Sequence, residues 1–278
     1  LRQVVDSGRY VLGSQVRDFE AAFADYVGVS HTVGVANGTD ALVLALRALG
    51  VGAGSRVAMV ANAGYYGSAA AALVGAEPMY VDVDAATLTM EPGSLSAVLA
   101  HEKTDAVIVT HLYGQMADMD RLSTLCRQAG VPLIEDGAQA HGAAWAGRQA
   151  GAWGAVGCFS FYPTKNLGAL GDGGAVVTGD AELADRLRAL RQYGWGRKYE
   201  VLFPGGGNSR LDELQAAVLL AKLPRLNAAN AARRAIAGRY GAELAGLPLA
   251  LPPLPGEDCV AHLYVVRTPR REALRAYL

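Results

Sequence analysis

The chain has 278 residues, of which 51% are hydrophobic and 18% are charged. It can therefore bury a sizeable core and is not disordered. Its 25 basic and 26 acidic residues give a net charge of −1, with no visible basic stripe, which argues against nucleic acid or an anionic membrane as the main partner.

Strands and helices alternate through the first 160 residues. The predicted helices are 14–27, 41–49, 65–74, 95–101 and 119–129, and the predicted strands are 32–36, 56–61, 78–83, 106–110, 131–135 and 156–161. Ser14 is a candidate cap for the first helix. The strands are nearly continuous apolar runs, which predicts an α/β fold with a mainly parallel sheet covered on both faces.

The C-terminal part predicts a strand at 175–178, helices at 182–192, 212–222 and 228–244, and a loop at 193–207. The proline-rich segment 248–255 is typical of a linker, and 262–267 predicts a strand. We expect a large domain at 1–246 and the start of a smaller, truncated domain at 247–278. Because the chain starts at Leu1 and ends inside a predicted helix, we expect it to be a fragment of a longer protein.

The uncharged span 57–76 is long enough for a membrane helix, but its Asn62, Gly64 and Gly67 favour a strand, a loop and a buried helix. The three cysteines are far apart and odd in number, which predicts neither a disulfide framework nor a metal site and indicates a reducing cytoplasm.

The segment Asn37–Gly38–Thr39–Asp40 lies between a predicted strand and a predicted helix. Gly38 lets backbone amides approach an anion at the helix N-terminus, and Thr39 adds a hydroxyl. A phosphate is the natural occupant. The alternative is that Thr39 is simply an N-cap.

Two acids, Glu135 and Asp136, follow a predicted strand. Ligands of open parallel sheets bind beyond the carboxyl ends of the strands, where an Asp can hold a protonated heterocyclic nitrogen. The alternatives are a helix cap or a structural salt bridge. Nearby His141 has no partner at metal-ligand spacing, so we expect a packed or hydrogen-bonded histidine and no metal site.

Lys165 follows an apolar run and a proline-marked turn, and it is the only lysine between Lys103 and Lys198. A partly desolvated amine near other cations has a lowered pKa and can form a Schiff base. The alternative is an ordinary surface lysine. Together with the phosphate cradle and Asp136, Lys165 completes the set that a pyridoxal 5′-phosphate site needs.

Several runs resemble the DegT/DnrJ/EryC1/StrS family of sugar aminotransferases, and the resemblance covers nearly the whole chain. These runs are NGTDAL, VDVD, HLYGQ, ADMD, IEDGAQAHGA, GCFSFYPTKNLGALGDGGAVVT and NSRLDELQAA. The resemblance implies the aspartate-aminotransferase fold (fold type I), with a three-layer αβα large domain and a small C-terminal α+β domain. It also implies pyridoxal 5′-phosphate as the cofactor.

The resemblance implies a role for each matching residue. Lys165 would be the Schiff-base lysine, Asp136 would pair with the pyridine nitrogen, and Gln139 would sit near the phenolic oxygen. Asn208 would reach the phosphate of the neighbouring subunit, so the active unit would be a homodimer. The residues expected to bind the phosphate within one subunit are Gly38, Thr39 and Ser160.

One position departs from the family pattern. Gly64 stands where the family places an aromatic residue over the pyridine ring, and Tyr65 and Tyr66 follow it. Either one of these tyrosines leans over the ring or the ring is covered in another way.

The implied reaction moves an amino group from L-glutamate to a nucleotide-linked keto-sugar. The motifs most resemble enzymes acting on dTDP-3-keto-6-deoxyhexoses, with a 4-keto substrate as the alternative. Arg197, Lys198 and Tyr199 are candidates to contact the diphosphate or sugar, or else are solvated loop residues. The other readings are a related dehydratase, although that branch replaces the lysine by histidine, or a non-catalytic regulatory homologue.

Overall fold

The computed structural model describes residues 1–278. The helices are α1 (Arg2–Ser7), α2 (Ser14–Val27), α3 (Gly38–Ala48), α4 (Tyr66–Val74), α5 (Pro92–His101), α6 (Met119–Ala129), α7 (Ala181–Leu190), α8 (Glu213–Lys222), α9 (Leu226–Glu243) and α10 (Arg271–Tyr277). The strands are β1 (His31–Val35), β2 (Arg56–Val60), β3 (Glu77–Val81), β4 (Ala106–Thr110), β5 (Leu133–Asp136), β6 (Ala144–Trp145), β7 (Arg148–Gln149), β8 (Val156–Ser160), β9 (Gly174–Thr178), β10 (Trp195–Arg197) and β11 (Glu200–Val201).

Seven strands form the central sheet in the order β1-β9-β8-β5-β4-β2-β3. Neighbours from β8 to β3 run parallel, as the apolar strands predicted. At the other edge β9 is antiparallel to both β8 and β1. The carboxyl ends of β8 and β5 therefore open on the same edge of the sheet, beside each other.

Helices cover both faces of the sheet and make three layers. On one face α3, α4 and α7 pack against the strands, with Leu42, Ala70 and Leu187 in a shared apolar cluster. On the other face α5 and α6 cover one half and α2 and α8 the other half. Both sheet faces are apolar because both are buried, which explains why the strands read as continuous hydrophobic runs.

The N-terminus of α2 is capped from a distant part of the chain. Its N-cap is Gly13, and no side chain of its own segment caps it, so the expectation of a Ser14 cap is wrong. The buried carboxylate of Glu213 instead accepts hydrogen bonds from the amides of Gly13 (2.8 Å), Gln15 (3.0 Å) and Val16 (2.8 Å). An ionised acceptor at a helix N-terminus satisfies free amides and complements the helix dipole.

Two predictions for the C-terminal part are corrected. The predicted loop 193–207 contains the short antiparallel hairpin β10–β11. The predicted strand 262–267 is not a strand: its one β-bridge joins Arg267 to Ala250. An extended apolar segment becomes a strand only where a second strand continues the hydrogen-bond ladder, and none does so here.

The segment 257–263 returns to the body of the molecule. Met116 N donates to Asp258 O (2.7 Å), and Val260 N donates to Gly114 O (2.9 Å). The Val260 side chain is fully buried in the apolar cluster that also contains α5 and α6 residues. The uncharged stretch 57–76 forms β2, a loop and α4 as predicted, and none of the helices has the length and apolar character needed to cross a membrane.

Candidate active site

An open cavity of about 400 Å³ lies where the carboxyl ends of β5 and β8 meet the N-terminus of α3. This is the edge at which parallel α/β sheets bind ligands, and the volume is in the range of small-molecule sites. The cavity is lined by Asn37, Gly38, Thr39, Leu42, Tyr66, Asp136, Ala138, Ser160, Tyr162, Thr164, Lys165 and Asp172.

The α3 N-terminus forms the anion-binding side of the cavity. Asn37 is the N-cap, and its side chain accepts from Asp40 N (2.9 Å). The alternative of Thr39 as the cap is therefore wrong. The amides of Gly38 and Thr39 belong to the first helical turn, where N–H groups have no acceptor within the helix. They are available to an anion, and the helix dipole favours one.

Gly38 allows α3 to approach β8 closely. A Cβ at this position would lie 2.6 Å from the Cβ of Ser160. Any side chain would therefore push α3 and the strand end apart. The sequence places the Ser160 hydroxyl and the first-turn amides against one small volume, which is the geometry of a phosphate cradle.

Asp136 ends β5 and is buried at the floor of the cavity. Its carboxylate has two long contacts, from Ala138 N (3.2 Å) and Thr110 Oγ1 (3.4 Å). Burial raises the pKa of Asp136, and the Ala138 amide and the charge of Lys165 partly offset that shift. A cationic N–H donor from a ligand would replace the lost solvation, so the side chain fits a protonated ring nitrogen.

Glu135 has a different role from its neighbour. Its carboxylate is fully buried and accepts from the amides of Gly151 (2.8 Å), Trp153 (2.6 Å) and Gly154 (2.8 Å). His111 Nε2 lies 3.0 Å from the same carboxylate. Glu135 therefore organises the loop before β8, and only Asp136 of the pair lines the cavity.

Lys165 lies on the loop after β8, partly buried, and lines the cavity. The loop is held at its base, where Phe161 N donates to Gly173 O (2.7 Å) and Ala169 N donates to Phe161 O (2.7 Å). Burial lowers the pKa of Lys165, and the charge of Asp136 partly offsets that shift. The site thus favours a neutral, reactive amine more than an exposed lysine would.

Of the two tyrosines after Gly64, only Tyr66 lines the cavity. Gly64 has a φ of +69°, and a Cβ there would lie 2.9 Å from the Tyr66 ring. The absence of a side chain at Gly64 therefore leaves space for the Tyr66 ring to pack beside it. Tyr65 is the N-cap residue of α4 and is largely exposed.

The other predicted residues lie outside the cavity of their own chain. Gln139 Oε1 accepts from Tyr113 N (2.6 Å). Asn208 is exposed and bridges to Gln192. The hairpin residues Arg197, Lys198 and Tyr199 are also exposed, with Lys198 Nζ 5.0 Å from the centre of the Tyr199 ring.

His141 is fully buried beside the cavity and packs at ring-centroid distances of 5.3 Å from Phe159 and 5.7 Å from Phe161. Neither ring nitrogen has a hydrogen-bond partner. Burial and the nearby charge of Lys165 lower the pKa of His141 to about 3. His141 is therefore a neutral, packed side chain, which is one of the two alternatives expected from the sequence.

Four cavity residues with polar side chains received no role from the sequence. Asn37 had a usable signal, because Asn directly before a helix is a preferred N-cap. Tyr162 and Thr164 flank Lys165 in its turn, and Asp172 lies in the glycine-rich run. Nothing in their local pattern separates a cavity-lining side chain from an exposed loop residue.

Comparison with known proteins agrees with the resemblance. The model of the DegT/DnrJ/EryC1/StrS aminotransferase family matches residues 1–278. A dTDP-3-amino-3,4,6-trideoxy-alpha-D-glucose transaminase of Streptomyces venezuelae is 48% identical over 280 aligned positions, covering 100% of this chain and 73% of the relative.

Solved structures show the same fold. The S. venezuelae protein DesV, in complex with a ketimine intermediate, superposes with a TM-score of 0.95 at 48% identity, covering 99% of this chain and 74% of DesV. NtdA of Bacillus subtilis, with the cofactor PMP bound, superposes with a TM-score of 0.91 at 29% identity, covering 99% of this chain and 63% of NtdA. The three-layer architecture is therefore that of the fold type I aminotransferases.

Proposed function

Because this chain belongs to the DegT/DnrJ/EryC1/StrS aminotransferase family, we propose that it uses pyridoxal 5′-phosphate to transfer an amino group from L-glutamate to a nucleotide-linked keto-sugar. One observation carries the proposal most directly. A half-buried lysine, a buried carboxylate and the N-terminus of α3 line a single cavity. The name of the S. venezuelae relative supports a dTDP-linked 3-keto-deoxyhexose as the acceptor.

The residues of the cavity fit this cofactor. Gly38, Thr39 and Ser160 would hold its phosphate, Asp136 would pair with its ring nitrogen, and Lys165 would attach to it through Nζ. Tyr66, which lines the cavity, would cover the ring in place of an aromatic residue at position 64. When bound, the cofactor supplies an electron sink that makes the α-carbon of an amino acid acidic.

Lys165 would move the proton. Its lowered pKa leaves a larger neutral fraction near pH 7 than an exposed lysine has, so the amine can accept a proton from the donor's α-carbon. The short loop between Phe161 and Ala169 fixes where Nζ can reach. The same amine would return a proton at the adjacent carbon of the cofactor.

Asp136 would keep the ring nitrogen protonated. The carboxylate is already desolvated by the protein, so pairing with a cation recovers electrostatic stabilisation that water cannot supply there. The phosphate cradle on the other side of the cavity would orient the ring between these two groups.

Residues outside the cavity would serve the acceptor sugar and the second subunit. Asn208 and the hairpin residues Arg197, Lys198 and Tyr199 are exposed and do not line the cavity of their own chain. In a homodimer they could serve the partner's cavity, and the exposed hairpin aromatics favour such a covered position. We also propose that residues 1–246 form a large domain and residues 247–278 the beginning of a smaller one.

The proposal is tested first by spectroscopy. Pyridoxal 5′-phosphate added to the purified protein should give the visible absorption band of a lysine-bound cofactor, and Lys165→Ala should lack it. Lys103→Ala is a matched control, because Lys103 is 72% exposed and lies outside the cavity. If Lys165→Ala shows the same band, Lys165 is not the residue that binds the cofactor covalently.

The reaction is tested next. Glutamate alone should convert the holoprotein to the pyridoxamine form and release 2-oxoglutarate, and the loaded protein should then be offered dTDP- and UDP-linked 3-keto and 4-keto sugars. Product regiochemistry separates the 3-keto from the 4-keto proposal. Loss of a hydroxyl without amino transfer would indicate the dehydratase alternative, and no half-reaction would indicate a regulatory protein.

A further inference from the structure

Asn166, next to Lys165, connects the lysine loop to two distant parts of the chain. Its Nδ2 donates to Asn230 Oδ1 on α9 (2.9 Å) and to Val260 O (3.1 Å). Its Oδ1 lies 2.9 Å from His262 Nδ1. One side chain thus satisfies three partners, and none of them belongs to the loop that carries Lys165.

The same network reaches the loop after Asp136. Asn230 is almost completely buried, and its Nδ2 donates to His141 O (2.8 Å). His141 lies five residues after Asp136 in the chain. The side-chain amides of Asn166 and Asn230 therefore link the loop of Lys165 to the backbone of the loop that follows Asp136.

The C-terminal segment that contributes Val260 and His262 is itself anchored. Ala144 N donates to Glu257 O (2.9 Å), and Gln115 Nε2 donates to Asp258 Oδ2 (2.7 Å). Val260 is fully buried. The partners of Asn166 in this segment are therefore held in place by their own contacts. Hydrogen bonds to such partners can fix the position of Asn166 and of the lysine next to it.

The direction of the His262 bond follows from the network. Because Asn166 uses its NH₂ group as the donor to Asn230 and Val260, its Oδ1 is the acceptor and His262 Nδ1 carries the proton. Burial lowers the pKa of His262 to about 4, and the charges of Lys165 and Arg233 act in the same direction. At neutral pH the ring is a neutral Nδ1–H tautomer.

We propose that Asn166 is a positioning residue for Lys165, and that the segment 257–263 acts on the site through it. The three bonds of Asn166 hold the adjacent lysine partly buried with its amine in the cavity. Without them the loop relaxes outward and the amine gains water. This inference rests on the proposed role of Lys165, but it concerns the placement of the amine and can be tested without the cofactor.

The test measures the reactivity of Lys165 in the cofactor-free protein. A trace of an acylating reagent is applied over a range of pH, and mass spectrometry quantifies each labelled lysine. Lys103, which is 72% exposed, is the internal reference. The charged and titratable groups that face Lys165 or line its cavity are Asp136, His141, His262, Asp172, Tyr66 and Tyr162.

Asn166→Ala should shift the labelling midpoint of Lys165 upward, toward that of Lys103, by about half a pH unit or more, because the amine loses part of its burial. Asn62→Ala is the matched control, since Asn62 also donates to a backbone carbonyl (Leu88 O, 2.9 Å) but lies elsewhere. A purely structural Asn166 would lower the melting temperature and leave the midpoint of the folded protein unchanged, which would overturn the proposal.

A second pair of variants keeps the test decisive if Asn166→Ala does not fold. His262→Asn retains an N–H donor toward Asn166 Oδ1, whereas His262→Leu does not. We expect the midpoint of His262→Asn to stay near that of the unmodified protein and that of His262→Leu to rise. Equal midpoints in the two variants would contradict the proposal.

Adding the cofactor distinguishes a failure of the proposed function from a failure of the positioning role of Asn166. If the unmodified protein shows no absorption band with pyridoxal 5′-phosphate, the proposed function fails whatever the labelling shows. If the band forms but the labelling midpoint does not respond to Asn166→Ala or His262→Leu, the function stands and the positioning role is wrong.

Discussion

Glu135 and Asp136 are consecutive residues of β5 whose carboxylates serve opposite faces of the sheet. Successive side chains of a strand alternate, so Glu135 binds backbone amides on the side of α5 and α6 while Asp136 opens toward α3. The two adjacent carboxyl groups thus have different roles, one structural and one chemical. Substitutions at the two positions should therefore have different effects.

Asp136→Asn should retain the cofactor and lose turnover by about 10²–10³-fold, because a neutral amide no longer stabilises the protonated ring nitrogen. Single-turnover rates with glutamate measure this directly. Glu135→Gln is the control: it leaves buried amides poorly paired and should cost about 3 kcal/mol of stability. Once folded, however, it should retain a far larger share of the activity. Full turnover in Asp136→Asn would rule out the ring-nitrogen role.

Asp136 should also make the cofactor-free protein less stable as the pH rises. Burial raises its pKa, so the folded state holds the carboxyl proton more tightly than the unfolded chain does. Stability is then highest below the ordinary pKa of about 4 and falls as the pH rises toward the folded-state value. Asp136→Asn should melt a few degrees higher than the unmodified apoprotein at neutral pH, with a smaller gain in acid. A lower melting temperature at neutral pH would contradict this.

Gly38→Ala should weaken cofactor binding by tenfold or more, because the added Cβ lies 2.6 Å from the Ser160 Cβ and must displace α3 or the strand end. Equilibrium titration with pyridoxal 5′-phosphate measures the effect. Gly179→Ala serves as the matched control, since a Cβ there meets no atom within 4 Å. Similar affinities for both variants would argue against the cradle.

Tyr66→Ala should weaken cofactor retention by about 0.5–1.5 kcal/mol, the usual worth of an aromatic contact, whereas Tyr65→Ala should change it little. The reason is position: Tyr66 lines the cavity and Tyr65 does not. Dialysis against buffer, followed by absorbance, reports the retained fraction. A larger loss in Tyr65→Ala would reverse the assignment.

The sequence predicted best where local pattern decides the structure. β4 and α6 have the bounds that were expected, because an apolar run and a helical repeat are local signals. Lys165, Asp136 and Gly38 could be predicted to converge, because Asp136 ends β5, Gly38 begins α3 and Lys165 lies on the loop after β8, all at the same edge of the sheet.

What the sequence could not show depends on distant partners. The strand β9 runs antiparallel to its partner β1, and the N-terminus of α2 is capped by Glu213. Neither partner is close to these elements in the sequence. Residues 262–267 have a strand-like pattern but no neighbouring strand. The backbone is left-handed at both Gly64 and Tyr65, and composition does not reveal which of Tyr65 and Tyr66 lines the cavity.

The cap of α2 has a consequence for how the chain folds as it is made. Gly13 and its acceptor Glu213 are 200 residues apart. A nascent chain leaving the ribosome therefore carries α2 with free first-turn amides until every strand of the central sheet has emerged. Docking of this N-terminal helix onto α8 is then a late, long-range step, and the order of folding runs against the order of synthesis.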